Sequence, residues 1–518
     1  MSSQSGVENP LLHPLLFLYQ VLQWLITLAL APKPPKDATA SNRPRIAIIG
    51  AGLTGVTAAA HCAGHGFNVQ IFEAGDEEAV GGIWTADQLK QRVNSTSGLQ
   101  IHSLMYRFHP AVTWQKGYPN KTQIVEQIRH IWNLYKLDQH TKFNFKVDKV
   151  YQDNQGRWII NDPSNGRFDG LVAAIGTCGA PKMAKIDNAE SFQGKIIHSS
   201  QLDDIDVKGK KMAIIGGGAS AIEALEFGIA KDAAQISILS RSDKWIIPRN
   251  VVVDALLSMN IFGQETVLSW IPEMLLRRLF YRDMADIAPS DVGLFTDTPM
   301  VNSDIMGQLR EGKAEWIRGD IEGFTERGVR VNHRAAGVPK GGPGRDRVVD
   351  ADVVVLATGF KRPSLSFLPD DCFEAPYGPP NWYLQTFPPP HPSLSAINCT
   401  YVAAIGTVGN WHIGIYTRIM LMFITDPLAR PSPFWMRRWI GLTRFLKSYS
   451  PTPAFDFFTY LELVWWFAFC VAINPFRWKW ALFVLFGVGF DLPNNFSELE
   501  KRVLKTDGYQ KLDQGRSF

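Results

Sequence analysis

Cysteine is scarce. The 518 residues hold five (Cys62, Cys178, Cys372, Cys399, Cys470), odd in number and widely scattered. That argues against a disulfide framework and suits a reducing compartment. No two form a C-x-x-C pair, which argues against thiol–disulfide reductase chemistry. No Cys/His cluster has metal-ligand spacing, so no metal is expected. Neither sign of charge dominates: the net charge is +4 with 20% charged residues, so no nucleic-acid partner is expected. The length leaves room for two or three domains and a large buried core.

Glycine is well placed. Two glycine-rich turns, each between an apolar strand and a small-residue helix, start at Gly50 and Gly216. The first turn is Gly50-Ala51-Gly52-Leu53-Thr54-Gly55, after Arg45-Ile46-Ala47-Ile48-Ile49. The second is Gly216-Gly217-Gly218-Ala219-Ser220-Ala221, after Lys211-Met212-Ala213-Ile214-Ile215. Each fits the dinucleotide fingerprint G-x-G-x-x-G/A. Its first glycine makes the tight turn, its second lets backbone approach a pyrophosphate, and its third position packs helix on strand. The phosphates then sit at the positive helix end. Two such turns in one chain point to a redox enzyme that passes electrons between two bound nucleotides.

Downstream residues distinguish the sites. Glu73 ends the strand after the first helix, where a carboxylate accepts hydrogen bonds from ribose hydroxyls and repels a 2′-phosphate. The first site therefore suits FAD or NAD. At the second, the matching strand ends at Ser240 and Arg241 follows, a guanidinium able to clamp a 2′-phosphate. That site reads as NADPH.

Residues 11–31 carry no Asp, Glu, Lys or Arg, about the length of a bilayer-spanning helix. Lys33, Lys36, Arg43 and Arg45 follow it, which places the remainder in the cytosol. His13, Gln20 and Gln23 keep an interfacial helix open as the alternative. A Pro-rich linker, residues 32–44, separates this segment from the body. Near the C-terminus two short apolar runs, residues 463–473 and 480–490, fit a monotopic docking surface with Trp465, Trp466, Trp478 and Trp480. Residues 250–300 are apolar without a clean period (Trp270, Ile271, Met274, Leu275, Leu276), and read as helical core with a substrate-covering insertion as alternative.

Continuous Val/Ile/Leu runs at residues 169–176 and 352–360 suit parallel strands covered on both faces. The expected fold is α/β: two Rossmann-like doubly wound dinucleotide-binding domains, one inserted in the other, with N- and C-terminal membrane-associated segments. The expected divisions are an anchor and linker at 1–41, a first FAD part at 42–205, and an NADPH domain at 206–344. A second FAD part follows at 345–430, then an aromatic C-terminal region at 431–518.

With both turns placed, the chain resembles the flavin-containing monooxygenases, of the class B flavoprotein monooxygenases, over residues 45–425. The likeness rests on the two turns with Glu73 and Arg241, on Gly81-Gly82-Ile83-Trp84, on Phe192-Gln193-Gly194-Lys195-Ile196-Ile197-His198, and on Ala357-Thr358-Gly359. The third of these elements looks like the family's F-x-G-x-x-x-H motif. Two departures matter. The family motif usually ends in Tyr, Phe or Trp four residues after the histidine, where this chain has Leu202. The Arg-Cys-Asp segment of typical Baeyer–Villiger enzymes is missing, and Arg92-Val93-Asn94-Ser95-Thr96-Ser97 resembles the asparagine segment of the heteroatom-oxidising branch.

The resemblance implies that NADPH reduces FAD and that the reduced flavin adds O2 to form a C4a-(hydro)peroxide. One oxygen atom then goes to a small lipophilic substrate, at nitrogen or sulfur. It assigns FAD to Gly50, Ala51, Gly52, Leu53, Thr54, Gly55, Glu73, Gly82, Ile83 and Trp84. It assigns NADPH to Gly216, Gly218, Ala219, Ser220, Ala221, Ser240 and Arg241. Asn94 would hydrogen-bond near the flavin ring or the nicotinamide amide, its alternative being an ordinary loop residue in a chance N-x-S/T sequon. His198 reads as a domain-junction residue rather than an acid or base. Baeyer–Villiger oxidation of a ketone, or a membrane flavoprotein without oxygenase activity, are the alternatives. The expected location is a membrane, with the endoplasmic reticulum a candidate and the catalytic body in the cytosol.

Overall fold

The structure is a computed structural model that describes residues 13–35, 43–85, 93–242, 244–250, 270–290, 292–294, 299–302, 304–400, 410–448 and 459–488. It is built on two main sheets, the first parallel and the second mixed. The first takes β1 (Arg45–Ile49), β2 (Asn68–Phe72), β3 (Thr141–Lys142), β7 (Gly170–Ala173) and β17 (Leu394–Ala396) in the order β17-β7-β1-β2-β3. Its apolar residues alternate between faces, as a strand buried on both sides requires. Ile46, Ile48 and Ile71 pack with helix α2 (Leu53–Gly64) and the helix His412–Thr425. Ala47, Ile49, Leu171 and Ala173 face the opposite core. There the cover is a small antiparallel sheet, β4 (Val150–Gln152), β5 (Trp158–Ile160) and β6 (Arg167–Phe168), rather than the helices of a doubly wound unit. α2 lies close to the strands because its buried run Val56-Thr57-Ala58-Ala59-Ala60 has small side chains. α3 (Lys121–Leu134) starts at a reciprocal cap between Asn120 and Gln123. It buries Ile124, Ile128, Ile131 and Trp132 along one stripe.

The second sheet holds β8 (Lys195–His198), β9 (Lys211–Ile215), β10 (Gln235–Ser240), β13 (Ala314–Thr325), β14 (Gly328–His333), β15 (Arg345–Asp350) and β16 (Val353–Leu356). Their order is β15-β14-β13-β10-β9-β16-β8. The five from β8 to β13 run parallel, and β14 and β15 return antiparallel. Helix α4 (Ala219–Ala230) covers one face, and β11 (Ile246–Ile247) pairs with β12 (Met300–Val301) in a separate two-stranded ribbon. The expected divisions at 205 and 345 are thereby corrected. Residues 195–198, 345–350 and 353–356 belong to the second sheet, and the chain re-enters the first only at β17. A run such as Val353-Val354-Val355-Leu356 is compatible with either buried sheet. Pairing to β9 and β8 decides between them.

The N-terminal segment is not a free tether. α1 (Pro14–Leu30) lies on the first unit, and Gln23 is its buried key. Gln23 Nε2 donates to Trp114 O at 2.8 Å, while its Oε1 accepts from Trp114 N at 2.7 Å and Arg107 Nη2 at 2.7 Å. Thr27 donates to Pro110 O at 2.9 Å, Tyr19 and Ser103 share a 2.6 Å hydroxyl contact, and Tyr135 donates to Pro32 O. The glutamine that looked like a flaw in a spanning helix is a docking residue. Among the described residues no helix is long and apolar enough to cross a membrane.

The C-terminal runs are likewise half core. Trp466 and Trp480 are buried in the first unit, Trp465 is half-buried, and Trp478 alone of the four is exposed. Trp480 Nε1 donates to Asp426 at 2.6 Å, and Arg418 donates to the carbonyls of Val484 and Leu485. Of the 250–300 segment, 251–269 lie outside the described residues. Trp270, Ile271 and Leu275 are exposed rather than core.

Candidate functional site

Both glycine turns stand where strand order reverses, after β1 between β2 and β7 and after β9 between β10 and β16. Such crevices at the carboxyl ends of parallel strands are where nucleotides bind. At the first turn Gly55 meets the backbone: a Cβ there would come 1.8 Å from Gly50 O, so only glycine lets α2 pack on the turn. Gly52, with ordinary φ, faces Gly82, whose Cα would lie 3.6 Å from an added Cβ. Gly81 N donates to Ala51 O at 3.0 Å, which locks the Gly82–Trp84 turn against the glycine turn. Glu73 reaches back from the end of β2. Its Oε2 accepts from Ala51 N at 2.6 Å and its Oε1 from Gly75 N at 2.8 Å. Trp84 Nε1 donates to Tyr106 OH at 3.1 Å.

The second turn repeats this geometry. Gly216 has φ +135, and a Cβ there would meet Ala357 O at 2.4 Å. An added Cβ on Gly218 meets nothing within 4 Å, which leaves a cradle over the start of α4, beside Ala219, Ser220 and Ala221. The structure places Ser240 beneath the turn rather than in it. Its buried hydroxyl donates to Ser242 O, and it would collide with any side chain on Gly217. Arg241 is exposed, and its carbonyl is held by Arg334 Nη2.

A cavity of about 260 Å³ opens alongside, lined by Trp316, Arg318, His333 and Arg334 among others. The Trp316 ring edge lies 3.6 Å from where a Gly217 Cβ would be, so the cavity adjoins the second turn. Burial, then the neighbouring Arg347, holds His333 below the usual imidazole value. These residues escaped sequence reading, because β13 and β14 bring them to the turn from about a hundred residues downstream.

Asn94 is buried between the two units. Its N–H donates to Ser97 Oγ at 2.9 Å and its Nδ2 to Ser199 O at 2.8 Å, while Oδ1 is buried without a partner. The bond to Ser199 O fixes which amide atom is oxygen. A buried orphan acceptor is costly, about 1–3 kcal/mol, and fits a site that receives an N–H donor. Ser97 also hydrogen-bonds Glu223 of α4, whose carboxyl is raised to about 7 by burial and then by Glu226. His198 is fully buried. Its Nδ1 accepts from Ser200 N and its Nε2 lies 2.9 Å from Gly359 O, so the ring staples the inter-unit crossing to the Ala357-Thr358-Gly359 turn. Leu202, at the departed motif position, is fully buried core.

A hydrogen-bonded chain behind the first turn was also missed. His412 Nε2 lies 2.7 Å from Asn398 Oδ1, and Asn398 Nδ2 donates to Thr54 Oγ1 at 3.1 Å. It anchors the first turn of α2. Burial lowers His412 to about 3, which keeps the ring neutral.

The cradles, the carboxylate at one and the arginines at the other fit two dinucleotides, and define a two-dinucleotide protein of the flavoprotein oxidoreductase type. A family model described as pyridine nucleotide-disulphide oxidoreductase matches residues 47–257. A Baeyer-Villiger monooxygenase of Pseudomonas aeruginosa is 30% identical over 232 residues, 43% of this chain and 42% of that protein. Dimethylaniline monooxygenase [N-oxide-forming] 2 of Rattus norvegicus is 24% identical over 386 residues, 68% of each. The match spans only 42%, 39% and 39% of the first three relatives' own lengths. In fold the chain is similar to an oxidized steroid monooxygenase bound to NADP, with TM-score 0.60 and 18% identity, covering 83% of this chain and 98% of that one. An open cyclohexanone monooxygenase structure gives TM-score 0.61 at 16% identity, covering 84% and 99%. By these likenesses the chain is similar to the class B flavoprotein monooxygenases.

Proposed function

We propose that the chain is an NADPH- and FAD-dependent monooxygenase that inserts one atom of O2 into a small lipophilic substrate at nitrogen or sulfur. The observation that carries this reading is the position of Asn94: buried where the two units meet, tied to both, with an amide oxygen left for a donor. Bound FAD, reduced by NADPH, supplies the oxygen activation. The chain's own residues bind and orient. Backbone N–H groups at Gly52–Gly55 and Gly218–Ala221 hold the two pyrophosphates at helix N-termini. Glu73 exchanges its bond to Ala51 N for ribose hydroxyls. Arg241 takes the 2′-phosphate, and the Trp316–Arg318–Arg334 cavity takes the adenosine end. Asn94 Oδ1 accepts from the flavin ring or the nicotinamide amide and fixes their mutual orientation, a positioning effect.

Baeyer–Villiger oxidation of a ketone is the second reading, favoured by the 30% likeness to the Pseudomonas aeruginosa protein. The purified protein tests both. NADPH-dependent oxygen uptake by a yellow protein, with N- or S-oxide products, supports the first; an ester product moves it to the second. A colourless protein, or a yellow one that turns over neither amines, sulfides nor ketones, refutes both.

We also propose that the protein attaches to a membrane surface from the cytosolic side through in-plane contacts. The α1 face turned away from Gln23 exposes Leu15, Leu18, Leu22, Leu25 and Leu28, and the C-terminal region exposes Phe476, Trp478 and Leu482. Amphipathic surfaces of this kind bury into the headgroup boundary. Vesicle flotation tests it. Loss of flotation in a Leu18→Gln/Leu25→Gln/Trp478→Gln variant with intact flavin supports the reading, and unchanged flotation refutes it.

A further inference from the structure

No metal spacing is visible in the sequence, yet the fold gathers Asp371, Cys372 and His391 so that one ligand atom of each lies within 4.8 Å of the others. We infer that these three side chains form a binding site for a borderline divalent cation, Zn²⁺ in chemical class, on the face of the first sheet opposite α2.

The donor set is the first argument. One thiol, one imidazole and one carboxylate are the N, S and O ligands of zinc, while Mg²⁺ and Ca²⁺ take oxygen alone. A thiolate and a carboxylate also neutralise a divalent charge. Preorganisation is the second. Asp371 and Cys372 sit in the short helical turn Asp370–Phe373. Cys372 N donates to Pro369 O at 3.1 Å, and its carbonyl accepts from Trp382 Nε1 at 2.8 Å. The Cys372 side chain is core, packed with Phe367, Leu368 and Trp382. On the other arm His391 N donates to Pro388 O at 3.0 Å, and the Trp158 ring stands edge-on 5.2 Å from the imidazole. His391 Nε2 is 2.9 Å from both Asp371 oxygens, a proton-bridged pair that a cation would replace.

Access is the third argument. Asp371 is exposed while Cys372 is buried, so the cluster opens to solvent on one side only. Three protein ligands with a remaining position for water is the arrangement of an open zinc site. Burial and then the Asp371 carboxylate raise the Cys372 thiol far above its ordinary value, so metal capture must expel that proton. The site ties the proline-rich stretch 369–393 to the first sheet.

The test uses the full-length flavin-loaded protein, stripped with a chelator and titrated with Co²⁺ as a spectroscopic zinc analogue, with Zn²⁺ as competitor. The expected result is one ion per chain, a near-ultraviolet thiolate-to-cobalt band, tetrahedral visible bands, and bleaching of all of them by Zn²⁺. Cys372→Ser abolishes the charge-transfer band, and His391→Asn and Asp371→Asn weaken binding at least tenfold. Flavin content reports whether each variant is folded, and Asp371→Asn, at an exposed position, keeps the test valid if Cys372→Ser misfolds. No thiolate band in folded wild type, or a band that survives both His391→Asn and Asp371→Asn, overturns the inference and leaves an ordinary His–Asp pair beside a buried thiol.

Discussion

Replacing Gln23 by leucine tests whether α1 belongs to the catalytic body. Gln23 is 2% exposed and joins both backbone polar groups of Trp114, which is itself buried, and one arm of the buried Arg107. Leucine fills a similar volume but removes all three hydrogen bonds. Each stranded polar group costs about 1–3 kcal/mol, more for a charged one. Arg107 retains its bonds to the carbonyls of Pro110 and Val112, which softens its loss. A destabilisation of about 3 kcal/mol is therefore a conservative expectation. That corresponds to a thermal midpoint lower by about 3 °C if the chain melts as one unit, and by about 5 °C if the first unit melts alone. The assay is a melt followed by release of flavin fluorescence, with Leu25→Gln on the exposed face as a control near zero. Removing residues 1–40 should act in the same direction and lower flavin retention. The tether expected from the sequence would instead leave flavin content intact. A Gln23→Leu midpoint within 1 °C of wild type would refute the docked helix.

Gly52→Ala should yield folded protein that retains little flavin, because an added methyl meets only ordinary contact in the protein but stands where a pyrophosphate approaches; Gly55→Ala, 1.8 Å from Gly50 O, should fail to fold, and flavin content with circular dichroism separates the two. Arg241→Ala should raise the Michaelis constant for NADPH about 10- to 150-fold, the equivalent of about 1.5–3 kcal/mol, and that for NADH little. Steady-state kinetics with both coenzymes checks this, and equal effects would contradict the assignment. Asn94→Ala should slow anaerobic flavin reduction by NADPH more than reduction by dithionite, as measured by stopped flow. Glu223 sets a pH dependence. Its folded value of about 7 lies above the ordinary 4.5, so the protonated form is preferred in the fold and its contribution disappears as pH rises through 7. Glu223→Gln should therefore be more stable than wild type at pH 8 and equal to it near pH 4, read as midpoint differences.

The parts of the site that were legible in the sequence are those in which local backbone chemistry forces residue type. Gly55 is required by its contact with Gly50 O within one strand-turn-helix unit, and Gly50 and Gly216 by their positive φ, so the motif and the geometry coincide. Glu73 and Arg241 end the next strand of each unit and come beside the turn by parallel pairing alone. What failed to show were features assembled from distant segments. Trp316 and Arg334 reach the second turn through an antiparallel hairpin, and His412 reaches Thr54 through Asn398. Asp371 and His391 meet only because a proline-rich stretch folds back on the sheet.

The amino-acid sequence by itself determined that the chain carries two glycine cradles, since those are decided by residue type within some thirty residues, and it supplied the expectation that the second takes the 2′-phosphate. Only the tertiary structure decided which sheet receives Val353–Leu356 and which tryptophans are core. It also decided that the glutamine of an apolar N-terminal helix is a dock and not a defect. An apolar run lowers its free energy equally well against either sheet, a neighbouring helix or a lipid. The choice falls to hydrogen-bond partners such as Trp114 and Arg107, which lie far away in the chain and adjacent only in space.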